Sequence, residues 1–328
     1  VYNDIKEFIR SYVLLPDDSS YDVMALWVIH TWAFFASHTT PYIYVNSPEK
    51  QSGKTRLIEV VELLVRNPIR ATNISSAVLF RAIESMQPTV LLDEIDSVWH
   101  GSKNEELRGV LNGGYKTGGH VWRLVKGEPA KFDTFSPKLL AGINNGWLPD
   151  TVADRSIAIR LERKSTKEKV AQFYSADAER EAEPIVEKIE QWVADNRHTL
   201  EQVRPKQLEG ISDRQWEISQ PLVAIGKQLK VKGYREAIKE ALSHRIVSNV
   251  ISPREQLLRD IRELYEASKR KRMHSRDIVE FLGDAWSQKL LANRLAPFDI
   301  HPSTIRIKNQ VAKGYYRTDF EDVWDRVL

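Results

Sequence analysis

A strand-prone run, Tyr42, Ile43, Tyr44 and Val45, leads into Pro48-Glu49-Lys50-Gln51-Ser52-Gly53-Lys54-Thr55 and then into an amphipathic stretch carrying Leu57, Val60, Val61 and Leu64. A strand, a tight loop and a helix in that order make a cradle for phosphate. Backbone N–H groups and the helix N-terminus surround the anion, a Lys reaches the terminal phosphates, and a hydroxyl holds magnesium. The pattern gives the last two roles to Lys54 and Thr55, with Glu49, Lys50, Gln51, Ser52, Gly53 and Arg56 completing the nucleotide-binding run. Pro48 stands where the pattern opens on glycine and has no N–H to give, so the match is incomplete at that position.

A second segment makes the first more specific. Thr89 to Asp96 reads TVLLDEID, a short apolar run with the character of a buried strand that ends in adjacent carboxylates. Asp93 is expected to hold the magnesium together with Thr55, and Glu94 to orient and deprotonate an attacking water, which favours hydrolysis over nucleotide binding alone. Asp96 reads equally as a helix cap or a solvated acid.

With 328 residues, 42% of them hydrophobic, the chain can bury substantial cores and is expected to form two or three domains beyond a short N-terminal segment. Val23 to Ala36, its richest apolar stretch, is too short to span a bilayer core of about 30 Å and reads as a core helix. There is no cysteine, which excludes disulfides, thiolate metal sites and cysteine nucleophiles. No charged-then-apolar leader opens the chain, so a cytoplasmic location is expected, and the start at Val1 fits a segment of a longer polypeptide. The eight histidines show no metal-ligand spacing, leaving magnesium as the implied metal. A net charge of +3 places any nucleic-acid contact in local patches.

Periodicity divides the chain into four stretches. Residues 1–38 read as two helices, one with Ile5, Phe8, Ile9 and Tyr12 on a face and one capped by Ser20. Residues 39–163 alternate short apolar runs with helical periods, the signature of an α/β parallel sheet. Within them, His120 to Phe135 alternates about Gly127, Glu128 and Pro129 and reads as an inserted β-hairpin. Residues 164–250 read as charged helices, the first interrupted at Pro184, and 251–328 open on a capping box, Ser252-Pro253-Arg254-Glu255. After it come helices from Ser275 and Ser287, a run Thr304 to Lys308, Gly314-Tyr315-Tyr316 and a last helix through Trp324, the order of a winged helix.

The loop, DEID, the hairpin, AGINN and ADRS in this order resemble AAA+ ATPases, particularly the phage, plasmid and prophage replication ATPases that are similar to superfamily-three helicases. The resemblance runs over nearly the whole chain and includes DRQWEISQPL and GYYRTDF. It implies an AAA+ P-loop ATPase core with an inserted hairpin, a helical lid and a C-terminal winged-helix domain, and ATP and Mg²⁺ as ligands. Asn144 resembles the sensor that aligns water against the γ-phosphate, with Asn145 the competing choice and an Asn-Gly turn the bland one. Arg155 resembles an arginine finger acting on a neighbouring subunit, or else pairs with Asp154 or Asp150. Arg214 resembles the lid's sensor arginine, or else lies on a helix surface.

A finger in trans implies a ring, most simply a hexamer, with the hairpin in its pore. Lys126 and Lys131 would grip a single strand's phosphates, and Arg123 would join them or be packed. In the terminal stretch Lys289 and Arg294 fall on the expected recognition helix, and Arg306, Lys308, Lys313 and Arg317 fall about the wing. The Lys269-Arg270-Lys271-Arg272 run fits nucleic acid or a helix C-terminus equally well. The whole implies an ATP-driven DNA helicase for replication of a mobile element, acting on single-stranded or forked DNA, with a primase as a possible companion. The alternative is a nucleotide-switched DNA-binding initiator or regulator.

Overall fold

Strands made largely of apolar residues must lie between two layers, and the central strands here are buried along almost their whole length. The computed structural model describes residues 1–49, 51–95, 105–143, 148–165, 167–244, 253–283 and 286–327. Its contacts divide the chain into two units, Val1–Ser248 and Asn249–Leu328. Lys50, Asp96, Asn144, Asn145 and Ser252 lie outside the described residues.

The first unit opens with α1 (Tyr2–Tyr12) and α2 (Asp18–Ala33), followed by β1 (Tyr42–Ser47) and α3 (Lys54–Glu62). Next come β2 (Pro68–Ala71), α4 (Ser76–Met86), β3 (Thr89–Leu92) and α5 (Glu105–Gly113). The hairpin strands β4 (His120–Val125) and β5 (Glu128–Asp133) precede β6 (Lys138–Ile143), α6 (Asp150–Ala153) and β7 (Ser156–Arg160). Three helices close the unit: α7 (Ser175–Gln202), α8 (Asp213–Gln228) and α9 (Tyr234–Ser243).

Five strands form one parallel sheet in the order β2-β3-β6-β1-β7, so the chain is α/β as its alternation predicts. All positions of β1 and β3 are buried, and Val45 pairs with Ala141 on one side and Ile159 on the other. The chain leaves β1 for the β2 edge and later crosses to β7 on the opposite side. That reversal leaves a crevice beyond the C-terminal ends of the strands, where open α/β sheets bind ligands.

The α1 stripe Ile5, Phe8, Ile9 and Tyr12 is buried as its spacing predicts. The cap of α2 is Asp17, whose side chain accepts from the Ser20 N–H, so Ser20 lies inside the helix and not at its start. Nearly every face of α2 is buried, because it is covered by α1 and by α7, α8 and α9. Residues of 1–38, 39–163 and 164–250 thereby contribute to a single hydrophobic core. Pro184 does not interrupt its helix. The buried stripe Ala178, Ala182, Ile185, Ile189 and Val193 runs straight past it, and that burial outweighs the hydrogen bond the proline removes.

The hairpin turns on Lys126 and Gly127 at φ 53° and 88°, the pair of positive angles a two-residue turn requires, and Glu128 and Pro129 belong to the return strand.

The second unit comprises α10 (Pro253–Ser268), β8 (Arg272–His274), α11 (Ser275–Leu282), α12 (Gln288–Leu295), β9 (Ser303–Ile307), β10 (Gln310–Tyr316) and α13 (Thr318–Val327). Its sheet is antiparallel in the order β8-β10-β9. Tyr265, Tyr315, Phe320 and Trp324 form an aromatic cluster at the centre of its core, with Phe320 and Trp324 stacked at 5.4 Å.

Candidate functional site

The loop after β1 is built to leave donors open. Gln51 and Gly53 take positive φ of 61° and 92°, and Gly53 opens α3 with no side-chain cap on the first turn. A Cβ on Gly53 would meet nothing within 4 Å, so the space before the helix N-terminus is free, but the φ of 92° resists any other residue. Lys54 Nζ donates to Ser47 Oγ, and to Ser52 Oγ and the Glu49 carbonyl at 3.3 Å each. The ammonium therefore rests on loop oxygens at the mouth of the crevice.

The carboxylates after β3 come to the same place. Thr55 Oγ1 donates to Asp93 Oδ2 at 3.0 Å, and Asp93, 5% exposed, takes the Glu94 N–H on its other oxygen at 3.0 Å. Glu94 is exposed and has φ 52°, a left-handed backbone that costs a side-chain-bearing residue about 1 kcal/mol. A hydroxyl and a carboxylate side by side are the hard oxygen donors that suit Mg²⁺, which takes few protein ligands and keeps water and phosphate for the rest. Among the described residues no cluster of three or more His, Cys, Asp or Glu could hold a metal by itself.

Beside the cradle lies a cavity of about 500 Å³, lined by Tyr12, Val13, Gln51, Gly53, Arg56 and Phe173 among others. Arg56 turns onto this wall, with its guanidinium 4.2 Å from the Phe173 ring centre, and pairs with Glu59 at 3.2 Å. Arg163, which the sequence pattern does not single out, reaches the loop from the end of β7 and donates to Gln51 Oε1 at 3.3 Å, with Glu49 4.0 Å away.

Arg155 and Arg214 lie elsewhere. The Arg155 carbonyl accepts from the N–H of Tyr42, the first residue of β1, while the cradle follows the last. Five strand steps at about 3.3 Å put about 16 Å between them. Both guanidiniums pack on the Tyr115 ring, Arg155 at 4.6 Å and Arg214 at 5.1 Å from its centre. Arg214 donates to Tyr115 Oη at 2.6 Å and pairs with Glu217, and Arg155 donates to the Thr151 carbonyl while its Nε has no partner among the described residues. The ion pairs of Arg155 with Asp150 or Asp154 considered from sequence are not among the described contacts.

On the hairpin, Lys126 occupies the tip and Lys131 is exposed on the return strand, opposite Trp122. Arg123 is packed, its guanidinium 5.3 Å from the Phe80 ring centre. Trp122 and Leu124, 62% and 74% exposed, share the outward face with Lys131. Their outward placement follows from strict alternation with buried Val121.

The hairpin base is held by Lys138. This lysine is fully buried and donates to the carbonyls of Thr134, Ser136 and Gly114 and to Ser136 Oγ at 2.9 to 3.3 Å. Burial pulls its pKa down to about 7. Gly114 lets these segments meet, since a Cβ there would collide with the Thr134 carbonyl, the Lys138 amine and the Val110 carbonyl.

In the second unit Lys289 and Arg294 are exposed on α12, Lys313 is exposed on β10, and Lys308 sits at the β9–β10 turn with φ 52°.

Together the sheet and the residues gathered at its C-terminal edge define an α/β protein with a polar crevice site beyond a parallel five-stranded sheet. The chain belongs to the family described as "Protein of unknown function (DUF3631)", whose model matches residues 160–327 and so begins at the last residue of β7. Comparison with curated proteins gives no match. Among solved structures, the A form of the apo C-terminal region of NrS-1 is 13% identical over 96% of this chain and 75% of that chain, with a TM-score of 0.48. A second apo structure of the same region is 12% identical over the same shares, with a TM-score of 0.49. No helix among the described residues is long and apolar enough to cross a membrane.

Proposed function

We propose that the chain is a magnesium-dependent ATPase of the AAA+ type that moves on single-stranded DNA, with α7, α8 and α9 as its lid and a winged helix in its second unit. The observation that carries this reading is the juxtaposition of Lys54, Thr55 and Asp93 at one edge of the sheet, with the Thr55 hydroxyl 3.0 Å from the Asp93 carboxylate. The helix N-terminus at Gly53 takes the phosphates, and Lys54 exchanges its loop oxygens for the β and γ oxygens. The nucleoside would take the adjoining cavity, whose lining includes Tyr12, Arg56 and Phe173. Thr55 and Asp93 would hold Mg²⁺, which supplies charge neutralisation on the phosphates.

In hydrolysis a water oxygen bonds to the γ-phosphorus as the bond to the β–γ bridging oxygen breaks. Glu94 takes the water's proton and releases it to solvent, leaving ADP and phosphate. Asn144 would align that water.

Arg155 and Arg214, packed on Tyr115 near the end of β1 opposite the cradle, would serve the cradle of a neighbouring copy, and a closed ring supplies every site in this way. The hairpin would carry the track, with phosphates on Lys126 and Lys131 and a base on Trp122, since base–aromatic stacking contributes about 1–3 kcal/mol per base.

The test is complementation. Lys54→Ala and Arg155→Ala chains should each lose at least about 100-fold in ATP turnover, because a trans arginine contributes about 10³ or more. Mixed in equal amounts they should recover up to about a quarter of parental turnover, since random assembly pairs an intact cradle with an intact Arg155 that often. Absence of recovery would remove Arg155 as a trans residue.

A further inference from the structure

The second unit carries a basic cavity that joins Lys308 of the expected wing to the Arg270-Lys271-Arg272 run, whose role the sequence leaves open. It encloses about 1030 Å³ between the start of β8, the first turn of α11 and the β9–β10 turn. Arg270, Lys271, Arg272, Arg276 and Lys308 line it, against the one lining carboxylate, Asp277.

Asp277 is engaged by Arg276 at 3.3 Å and by Arg270 at 4.0 Å, and Arg276 also donates to Gln310. Among the described residues, Lys271, Arg272 and Lys308 have no carboxylate within 4.0 Å and are exposed. Three uncompensated cations facing one concavity repel each other and concentrate field there, an arrangement that an anion relieves.

Two further observations point to a ligand. His274 lines the same cavity, is 2% exposed, and its Nε2 has no hydrogen-bond partner among the described residues, which is costly unless something fills that role. His274 is also the N-cap of α11 and gives that helix no side-chain cap, so the first-turn N–H groups of α11 open beside it. Tyr316, paired with Arg272 across the sheet, adds a half-exposed aromatic ring to the wall.

We infer that this cavity binds single-stranded nucleic acid. Phosphates sit on Lys271, Arg272 and Lys308, and an unpaired base stacks on Tyr316. The ring decides for a single strand, because the bases of a duplex are already stacked and offer it no free face. The site differs from the surface expected of a recognition helix. Lys289 and Arg294 lie on α12, outside the cavity, on a face that also exposes Leu290. The inference is independent of the nucleotide reading, since it uses no residue of the first unit.

The test uses the full chain carrying Lys126→Ala and Lys131→Ala, without nucleotide, and a fluorescent oligo(dT) of about 30 nucleotides read by anisotropy. Adding Arg272→Ala with Lys308→Ala should weaken binding at least about tenfold and reduce the slope of log affinity against log salt by about 1.4, the share of two phosphates on a single strand. Adding Lys289→Ala with Arg294→Ala instead should weaken binding of the single strand less than the Arg272 and Lys308 pair does, because those side chains lie outside the cavity. Tyr316→Ala should cost about tenfold and Tyr316→Phe little, and a duplex of the same length should bind at least about tenfold more weakly. No binding by the starting variant, loss through the α12 pair instead, an indifferent Tyr316→Ala, or equal binding of duplex would each overturn the inference. None of these results depends on ATP turnover.

Discussion

Glu94→Gln should bind ATP as the parent chain does and hydrolyse it at least about 100-fold more slowly, the low end of what a positioned general base contributes. The glutamine keeps the shape of the side chain and removes its capacity to take a proton. Glu94 is exposed beside buried Asp93, which already holds Thr55 and the Glu94 N–H, so the substitution leaves the carboxylate expected to hold magnesium in place. The left-handed backbone at Glu94 supports the assignment, because a strained residue beside a polar crevice is where function accounts for the strain. Equal turnover in the two proteins would remove Glu94 as the base.

Lys138→Met is expected to be the most damaging substitution in the first unit away from the crevice. Methionine fills similar volume but leaves the carbonyls of Thr134 and Ser136 without the Lys138 donor, while the Gly114 carbonyl keeps the Ser136 N–H, a loss of about 3 kcal/mol. In a unit of this size that is a fall in Tm of about 6–12 °C. The substitution should also alter the pH dependence of stability. Burial pulls the folded pKa of Lys138 down to about 7, below the unfolded value of about 10.4, so between those values the unfolded chain binds the extra proton. Stability from this group therefore rises as pH goes from about 7 towards 10 and is flat below 7. Denaturant titrations at pH 6 and pH 9 should show that rise in the parent and a smaller one in Lys138→Met. An identical rise in both would show that Lys138 does not titrate in this window.

The sheet and the loop were legible because their information is local. Tyr42 to Val45, Val90 to Leu92 and Leu139 to Ile143 announce strands by short apolar runs, and the hairpin by alternation. The meeting of Thr55 with Asp93 follows from the residue types and their order alone. The rest depends on partners distant in sequence. β8 has three residues, Arg272, Met273 and His274, within a basic run, and is a strand only because β10 pairs with it. Lys138 reads as a surface cation at the start of an apolar run until Gly114 and Thr134 close over it. Tyr115 has no local signal for its place between two arginines from segments 40 and 99 residues away, an interval set by tertiary packing. Asp17 displaced Ser20 as a cap because four polar residues in a row, Asp17 to Ser20, each could begin the helix, and only packing chose among them.

The measurement that tests the central claim most directly is steady-state ATP hydrolysis at fixed low salt and saturating Mg²⁺, with and without single-stranded DNA, using Glu94→Gln as the blank. A translocase couples turnover to its track, so the account predicts hydrolysis that DNA raises severalfold and that Glu94→Gln abolishes in both conditions. Hydrolysis that ignores DNA would contradict the translocase, and turnover indistinguishable from the blank would contradict the ATPase itself.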